Sequence, residues 1–333
     1  MKLQSVRDLK LELAADVFAP IGEELLERAL RPRPRRARHP SALERVAIGI
    51  GFSETKDEYT LAVRLQARSK ALRATVERLR DRARGEIDVR FIGRLRPHDA
   101  VPVNPADLRK VCRPLIVGCS VGHIATTAGT LGLIARHRKT GGAVILSNSH
   151  ILAQSGQAKA GDPITQPGPL DGGDAKGVVA ALLDSTTLNL NGPNQFDAAI
   201  ALIDTGLAYT ANSAPQLGSF TIGDEDVILP DVEVTKIGRT TGLRRGKILA
   251  TELDDIVVDY DVGTATFDNQ IEIGGLHNLT FSDNGDSGSL VFDDKMRAIG
   301  LVFCGNPNAN DGSGLSYANH LPRLMTTLDL IAI

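Results

Sequence analysis

From Arg113 to the C-terminus the chain shows almost none of the 3.6-residue spacing that marks an amphipathic helix. It offers short β-prone runs instead: "GTLGLIARH", "GAVILSNSH", "DAAIALID", "EVTKIGRT", "GKILATE", "QIEIGG", "SLVFDD" and "AIGLVFCG". Clusters of Gly, Asn, Asp and Pro cut these runs apart. Many short strands at regular spacing signal a sandwich or barrels, so the fold class is mostly β. The stretch "GLAYTANSAPQLGSF" divides the region into two halves, about 111–205 and 216–322. Only the tail, "LPRLMTTLDLIAI", reads as helix again, over 322–333.

The first 110 residues have a different character. Over 1–30, Val6, Leu9, Leu13, Val17, Ile21, Leu25 and Leu26 fall at helical intervals, with a break expected at Pro20. "RPRPRRARHP" (31–40) carries five arginines and three prolines, which excludes a regular helix or a central strand. It reads as a solvated linker, with an acidic partner or a protease-sensitive hinge as the functional alternatives. Over 41–97, "RVAIGIGF" and "YTLAVRLQ" predict two strands, "SKALRATVERLRDRAR" a helix and "IDVRFIGRL" a third strand. Together they make a small α/β domain. Pro97, Pro102 and Pro105 mark a second linker, 98–110.

Charge divides along the same line. Residues 1–110 hold 24 Lys and Arg against 16 Asp and Glu, net +8, whereas 111–333 hold 14 against 24, net −10. Opposite signs predict that the basic N-terminal region docks on the rest of the chain. Trp is absent and aromatics are only 4%, so stacking platforms for single-stranded nucleic acid are not expected. Asp8, Glu12 and Asp16 interrupt the N-terminus, which therefore lacks the apolar core of a signal peptide, and no apolar run is long enough to span a bilayer. Cys112, Cys119 and Cys304 are an odd number without metal-ligand spacing; Cys112 and Cys119 read as free thiols or as one disulfide. So few cysteines fit a reducing cytoplasm.

The chemistry centres on "TFSDNGDSGSLVF", Thr280 to Phe292, where Ser287 sits between glycines and before an apolar strand. A serine hydroxyl is a poor nucleophile unless an imidazole takes its proton, and the imidazole needs a carboxylate to fix its tautomer. Of the seven histidines, His39 and His98 lie in linkers. His150 ends the β-run "AVILSNSH" among small neighbours that leave room for a reacting group. Most acidic residues fall in runs such as "GDEDV" and "LDDIVVDYD", which read as solvated faces or loops. Asp197 in "NQFDAAIALI" opens an apolar stretch and is expected against the core, with Asp204 as the fallback. The order His150, Asp197, Ser287 is a recurrent triad order.

On "LSNSHIL", "FDAAIALI" and "GDSGS" the chain resembles the trypsin-like, chymotrypsin-fold serine proteases over residues 111–333. "VTKIGRTTGLRRGKI" and "SVGHIATTAGTLG" further resemble a cytoplasmic bacterial branch related to the plant Narrow Leaf proteins. The resemblance implies two β-barrels with the active site between them. It also implies a serine endopeptidase acting on protein or peptide substrates, an oxyanion hole from the N–H groups of Gly285 and Ser287, and no metal or organic cofactor. The N-terminal region then stands as a possible latency or regulatory element, and the rival function is an inactive protease-fold scaffold. In many members the aspartate at position 286 pairs with a newly cut N-terminus. Ile116, Val117 and Gly118 look like such a terminus, but releasing it requires cleavage after Leu115. The pocket base falls on Phe281, and the strand beside it on Phe303, Cys304 and Gly305. No acid or base waits there, so a small or apolar side chain is expected before the scissile bond. "NANDGSG" lacks the glutamate that closes a calcium loop, and "GRTTGLRRG" reads as a hairpin rather than a phosphate loop.

Overall fold

The computed structural model describes residues 1–14, 46–53, 57–67, 70–97, 107–224, 228–309 and 314–333. The expectations for 15–45, including Pro20, His39 and the Arg/Pro linker, and for 98–106, including His98, lie outside the described residues.

The short runs after Arg113 become the strands of two antiparallel lobes, a closed six-stranded barrel and a half-barrel, in keeping with the mostly β fold class expected. The first lobe orders its main strands as Leu330–Ala332, Leu133–His137, Ala143–Ser147, Ala199–Ile203, Val178–Ser185, Pro163–Thr165 and Ser120–His123. These strands are apolar on both faces, and the period of two shows why. Ile134, Ile145, Ala199 and Ala201 point into one core with Leu115, Ile151 and Ile164. Their neighbours Leu133, Val144, Leu146 and Ile200 point the other way, onto Leu290, Phe292 and Leu301 of the second lobe and Leu324 near the C-terminus. The first lobe therefore buries its outer face against its partner, and that seam is where a site can form.

The second lobe orders Glu233–Gly238, Leu290–Phe292, Arg297–Asn306, Leu315–His320, Gln270–Gly275 and Gly242–Asp254. The sheet does not stop there. Val46–Ser53 pairs antiparallel with Gly242–Asp254, Glu58–Leu65 pairs with Val46–Ser53, and Ile87–Phe91 lies parallel to Glu58–Leu65. The helix Lys70–Arg82 lies between Glu58–Leu65 and Ile87–Phe91 in the chain, and these strands extend the sheet of the second lobe.

Charge fastens the join. Arg64, fully buried, places Nε 2.8 Å from both carboxylate oxygens of Glu272, which also accepts a 2.8 Å bond from Tyr317. Two strands lie between Arg64 and Glu272 in hydrogen-bonding order, so the sheet must coil to bring them together. Asp88 adds a 2.9 Å ion pair to Arg64. The helix Leu3–Leu13 contributes Arg7 to Glu252, and Lys10 to Asp254 at 2.8 Å.

Two elements depart from the sequence reading. The C-terminal helix runs only over Leu321–Thr327; Asp329 takes φ +55°, and Leu330–Ala332 then joins the first lobe as a strand beside Leu133–His137. The acidic run "LDDIVVDYD", read as a solvated face or loop, contains the strand Ile256–Tyr260, whose hairpin partner is Gly263–Phe267. Its Ile256, Val257, Val258 and Tyr260 are all buried, so the apolar run outweighs the flanking acids.

Candidate active site

His150 is delivered by the strand Ala143–Ser147, followed by a single helical turn at Ser149–Leu152. The strand Ala199–Ile203 pairs directly with Ala143–Ser147, which carries Asp197, two residues ahead of it, to the same end. Asp197 Oδ2 lies 2.5 Å from His150 Nδ1, and Oδ1 accepts the His150 main-chain N–H at 3.2 Å. Asn148 donates to the Asp197 carbonyl at 2.7 Å, and the Asp197 N–H donates to Asn319 Oδ1 at 3.0 Å. Asn319 in turn donates to Gln270 at 2.8 Å. Asp197 is thus held from both lobes. Burial pushes its carboxyl up, but the charge of His150 and the hydrogen bonds from His150 and Tyr260 outweigh burial and hold it below the usual carboxylate range.

Tyr260 was not legible as a site residue. Its hydroxyl donates to Asp197 Oδ2 at 2.8 Å, and its ring meets the His150 ring edge-on at 6.2 Å between centroids. The stack continues through Phe267 to Phe303, the latter two rings 5.0 Å apart. Asp204, the fallback acid, is exposed at the end of its strand and takes no part.

Ser287 lies on the loop between Asp283 and Ser289, against the seam. Its carbonyl accepts from Thr130 N at 2.8 Å, and the Thr130 hydroxyl donates to the Gly285 carbonyl at 3.0 Å. Gly285 and Gly288 take φ of +95° and +94°, which L side chains rarely adopt. At Gly288 a Cβ would also strike Thr130 O at 2.1 Å and Ser147 Oγ at 2.3 Å. Ser147 is three residues before His150, so the serine loop packs on the segment that delivers the histidine. The Ser287 hydroxyl donates to the Phe303 carbonyl at 3.2 Å. His150 Nε2 is buried and has no hydrogen-bond partner among the described residues. His150 and Asp197 are joined in this state; His150 Nε2 and the Ser287 hydroxyl are not hydrogen-bonded.

The loop is pinned by Asp286. Its carboxylate meets Lys236 Nζ at 2.7 Å, both side chains fully buried, and accepts from Thr241 Oγ1 at 2.7 Å and from the N–H groups of Thr240, Thr241 and Asp283. Burial pushes this carboxyl up, and the Lys236 charge outweighs it, leaving it below its ordinary value; burial lowers the Lys236 ammonium. The place a new N-terminus would take is filled from within the chain. Ile116–Gly118 are committed elsewhere: Val117 is buried and Gly118 N–H donates to Leu131. "GRTTGLRRG" is indeed a hairpin turn, joining Glu233–Gly238 to Gly242–Asp254, and its Thr240 and Thr241 serve Asp286. Arg109, also buried, holds the carbonyls of Arg239 and Thr240 at 2.9 and 3.0 Å. Lys236 had a sequence signal: in "EVTKIG" it shares a strand face with Val234 and Gly238, and a lysine on an apolar face calls for a buried partner.

The four pocket residues fall as follows. Phe281 is buried in the second-lobe core with Ile248, Ile271, Ile273 and Val291. Phe303 and Cys304 are buried with Phe267 and Tyr317, and Cys304 and Gly305 pair through the main chain with Pro97 and Arg96. Ser282 and Ser316, beside these residues in sequence or sheet, join hydroxyls at 2.6 Å. Among the described residues no cluster of three His, Cys, Asp or Glu is placed to hold a metal, and no helix is long and apolar enough to cross a membrane.

No family model matches the sequence, and no curated protein matches it. Among solved structures, Thermobifida fusca protease A is similar at 15% identity and a TM-score of 0.46, covering 66% of this chain and 98% of that one. Nocardiopsis protease matches at 17% identity and 0.47, again over 66% and 98%. A glutamic-acid-specific serine protease, described as using a histidine triad in substrate binding, matches at 15% identity and 0.48, over 66% and 100%.

Proposed function

We propose that the chain is a serine endopeptidase. Ser287 Oγ attacks a peptide carbonyl as its proton passes to His150 Nε2. Asp197 holds the imidazole in the tautomer that leaves Nε2 open and stabilises the imidazolium. The N–H groups of Gly285 and Ser287 receive the oxyanion, an arrangement typically worth about 10²–10³ in rate. The imidazolium then protonates the leaving amine, and water, activated by the same nitrogen, hydrolyses the acyl-enzyme. The observation that carries this reading is the buried 2.5 Å Asp197–His150 contact with Nε2 left open. On this reading the Ser287 hydroxyl must turn from the Phe303 carbonyl to that nitrogen before it attacks.

Protein or peptide substrates with a small or apolar residue before the scissile bond belong to the proposal, as does a reducing cytoplasm, in keeping with three free cysteines. So does the cytoplasmic bacterial branch related to the Narrow Leaf proteins, whose resemblance rests on the segments that supply Lys236, Thr240, Thr241 and Thr130. A second reading, a scaffold that binds peptides without cutting them, is favoured by the Ser287–Phe303 hydrogen bond. A peptide library separates them: the enzyme cleaves with small or apolar preference and Ser287→Ala abolishes cleavage. Uncut peptides that still bind would establish the scaffold, and a preference for Arg or Lys would remove the pocket assignment.

A further inference from the structure

We propose that the chain is its own first ligand: the segment Leu95–Pro97 occupies the strand edge onto which an extended peptide must add to reach Ser287, so the chain rests self-blocked. This rests on reading Ser287 as the nucleophile.

The strand Arg297–Asn306 has two edges. One is covered by Leu315–His320. Along the other, Leu290–Phe292 pairs opposite Ala298–Leu301. Next, Val302 exchanges main-chain bonds with Gly288 and Ser289 at 2.8 and 2.9 Å. Then the Ser287 hydroxyl meets the Phe303 carbonyl. Cys304 and Gly305 are therefore the first positions on that edge beyond the nucleophile. An extended peptide recognised by strand addition, with a carbonyl at Ser287, must lay its preceding residues against them. In this structure they are taken: Pro97 lies opposite Cys304 and Arg96 opposite Gly305, antiparallel.

The occupant is anchored. Asn306 Nδ2 donates to the Ile92 carbonyl at 2.9 Å, and Asp259 N–H donates to the Leu95 carbonyl at 3.0 Å. Ile92 and Leu95 are buried with Tyr260, Phe267, Phe303 and Cys304, the same cluster that backs the site. Ser287 itself is at 0% exposure. The grip on the edge is nonetheless short, and Pro97 has no N–H to give, which leaves Arg96 as the donor of the pair. A two-residue pairing backed by a buried anchor suits an occupant that holds in the absence of substrate and yields to a longer strand.

The test uses the full chain carrying Ser287→Ala, so that no catalysis is required, and a fluorescein-labelled peptide copying residues 94–97, which lacks Ile92 and so does not use the Asn306 anchor. Arg96→Pro removes the donating N–H, and Asn306→Ala, kept in case the first variant folds poorly, removes the Ile92 anchor. Each is expected to bind the peptide at least tenfold more tightly than the parent, read by anisotropy. Equal affinity in both variants and the parent would overturn the proposal. The nucleophile is tested separately: if binding rises but a fluorophosphonate never labels Arg96→Pro with Ser287 intact, the self-block stands and the hydrolase reading falls.

Discussion

Replacing Lys236 by Met tests the internal lock on the serine loop. Lys236 Nζ and Asp286 Oδ2 are 2.7 Å apart and both side chains are fully buried. At an effective dielectric of about 20 their attraction is roughly 6 kcal/mol before desolvation, and removing one member of a buried pair typically costs about 3–5 kcal/mol. Asp286 keeps four other donors, at 3.0, 3.2, 3.1 and 2.7 Å. The expected loss is therefore at the lower end, about 3 kcal/mol. The sign of its pH dependence is the sharper test. In the native chain the Asp286 carboxyl titrates below its ordinary value, so its contribution is complete above about pH 4 and fades only as pH falls through the folded value. Without Lys236, burial dominates and raises the carboxyl, so the variant regains stability as pH falls from 7 towards 4, by protonating Asp286. Urea unfolding at several pH values reads both effects. A loss under about 1 kcal/mol, or a deficit unchanged between pH 7 and 5, would refute the reasoning.

Tyr260→Phe removes the hydroxyl bonded to Asp197, and kcat/KM of the active chain should fall about tenfold with KM unchanged, as for a lost hydrogen bond to a charged group; an unchanged kcat would deny Tyr260 a positioning role. Arg64→Met strands Glu272 in the interior and should lower stability in urea by about 3–5 kcal/mol, because the N-terminal strands and the second lobe share one buried ion pair. Cys112 is half-buried, and a hydrogen bond from Cys119, with Arg113 nearby, brings its thiol down to about 7 against the opposing effect of burial. Its alkylation by iodoacetamide should climb steeply between pH 6 and 8, whereas a midpoint near 9 would show that Cys119 does not support the thiolate.

The residues proposed to carry chemistry stand out in the sequence because each ends or opens an apolar strand: His150 after "AVILS", Asp197 before "AAIALI", Ser287 before "SLVF". A strand with both faces buried leaves its polar residues at its ends, where they face the seam. Lys236 and Tyr260 were harder to see, because their partners Asp286 and Asp197 are 50 and 63 residues away in sequence, and no local periodicity encodes such a meeting. Acidic neighbours also disguised Ile256–Tyr260 as surface, although Asp255, which lies beside it, is desolvated and driven up to about 7 with Asp268 and Asp254 nearby. The tail read as helix because Leu321, Leu324 and Leu328 keep helical spacing; the left-handed Asp329 then turns it into a strand. Pairing of Arg96–Pro97 with Cys304–Gly305 has no sequence signature at all, since a proline-marked linker looks the same whether it lies in solvent or along a sheet edge.

Mapping where diisopropyl fluorophosphate reacts on the Arg96→Pro chain tests most directly whether His150 and Asp197 make Ser287 a nucleophile. Mass spectrometry should find one adduct per chain, on Ser287, and none when His150 is also replaced by Ala. An unmodified chain after long exposure, or an adduct on a different serine, would contradict the account.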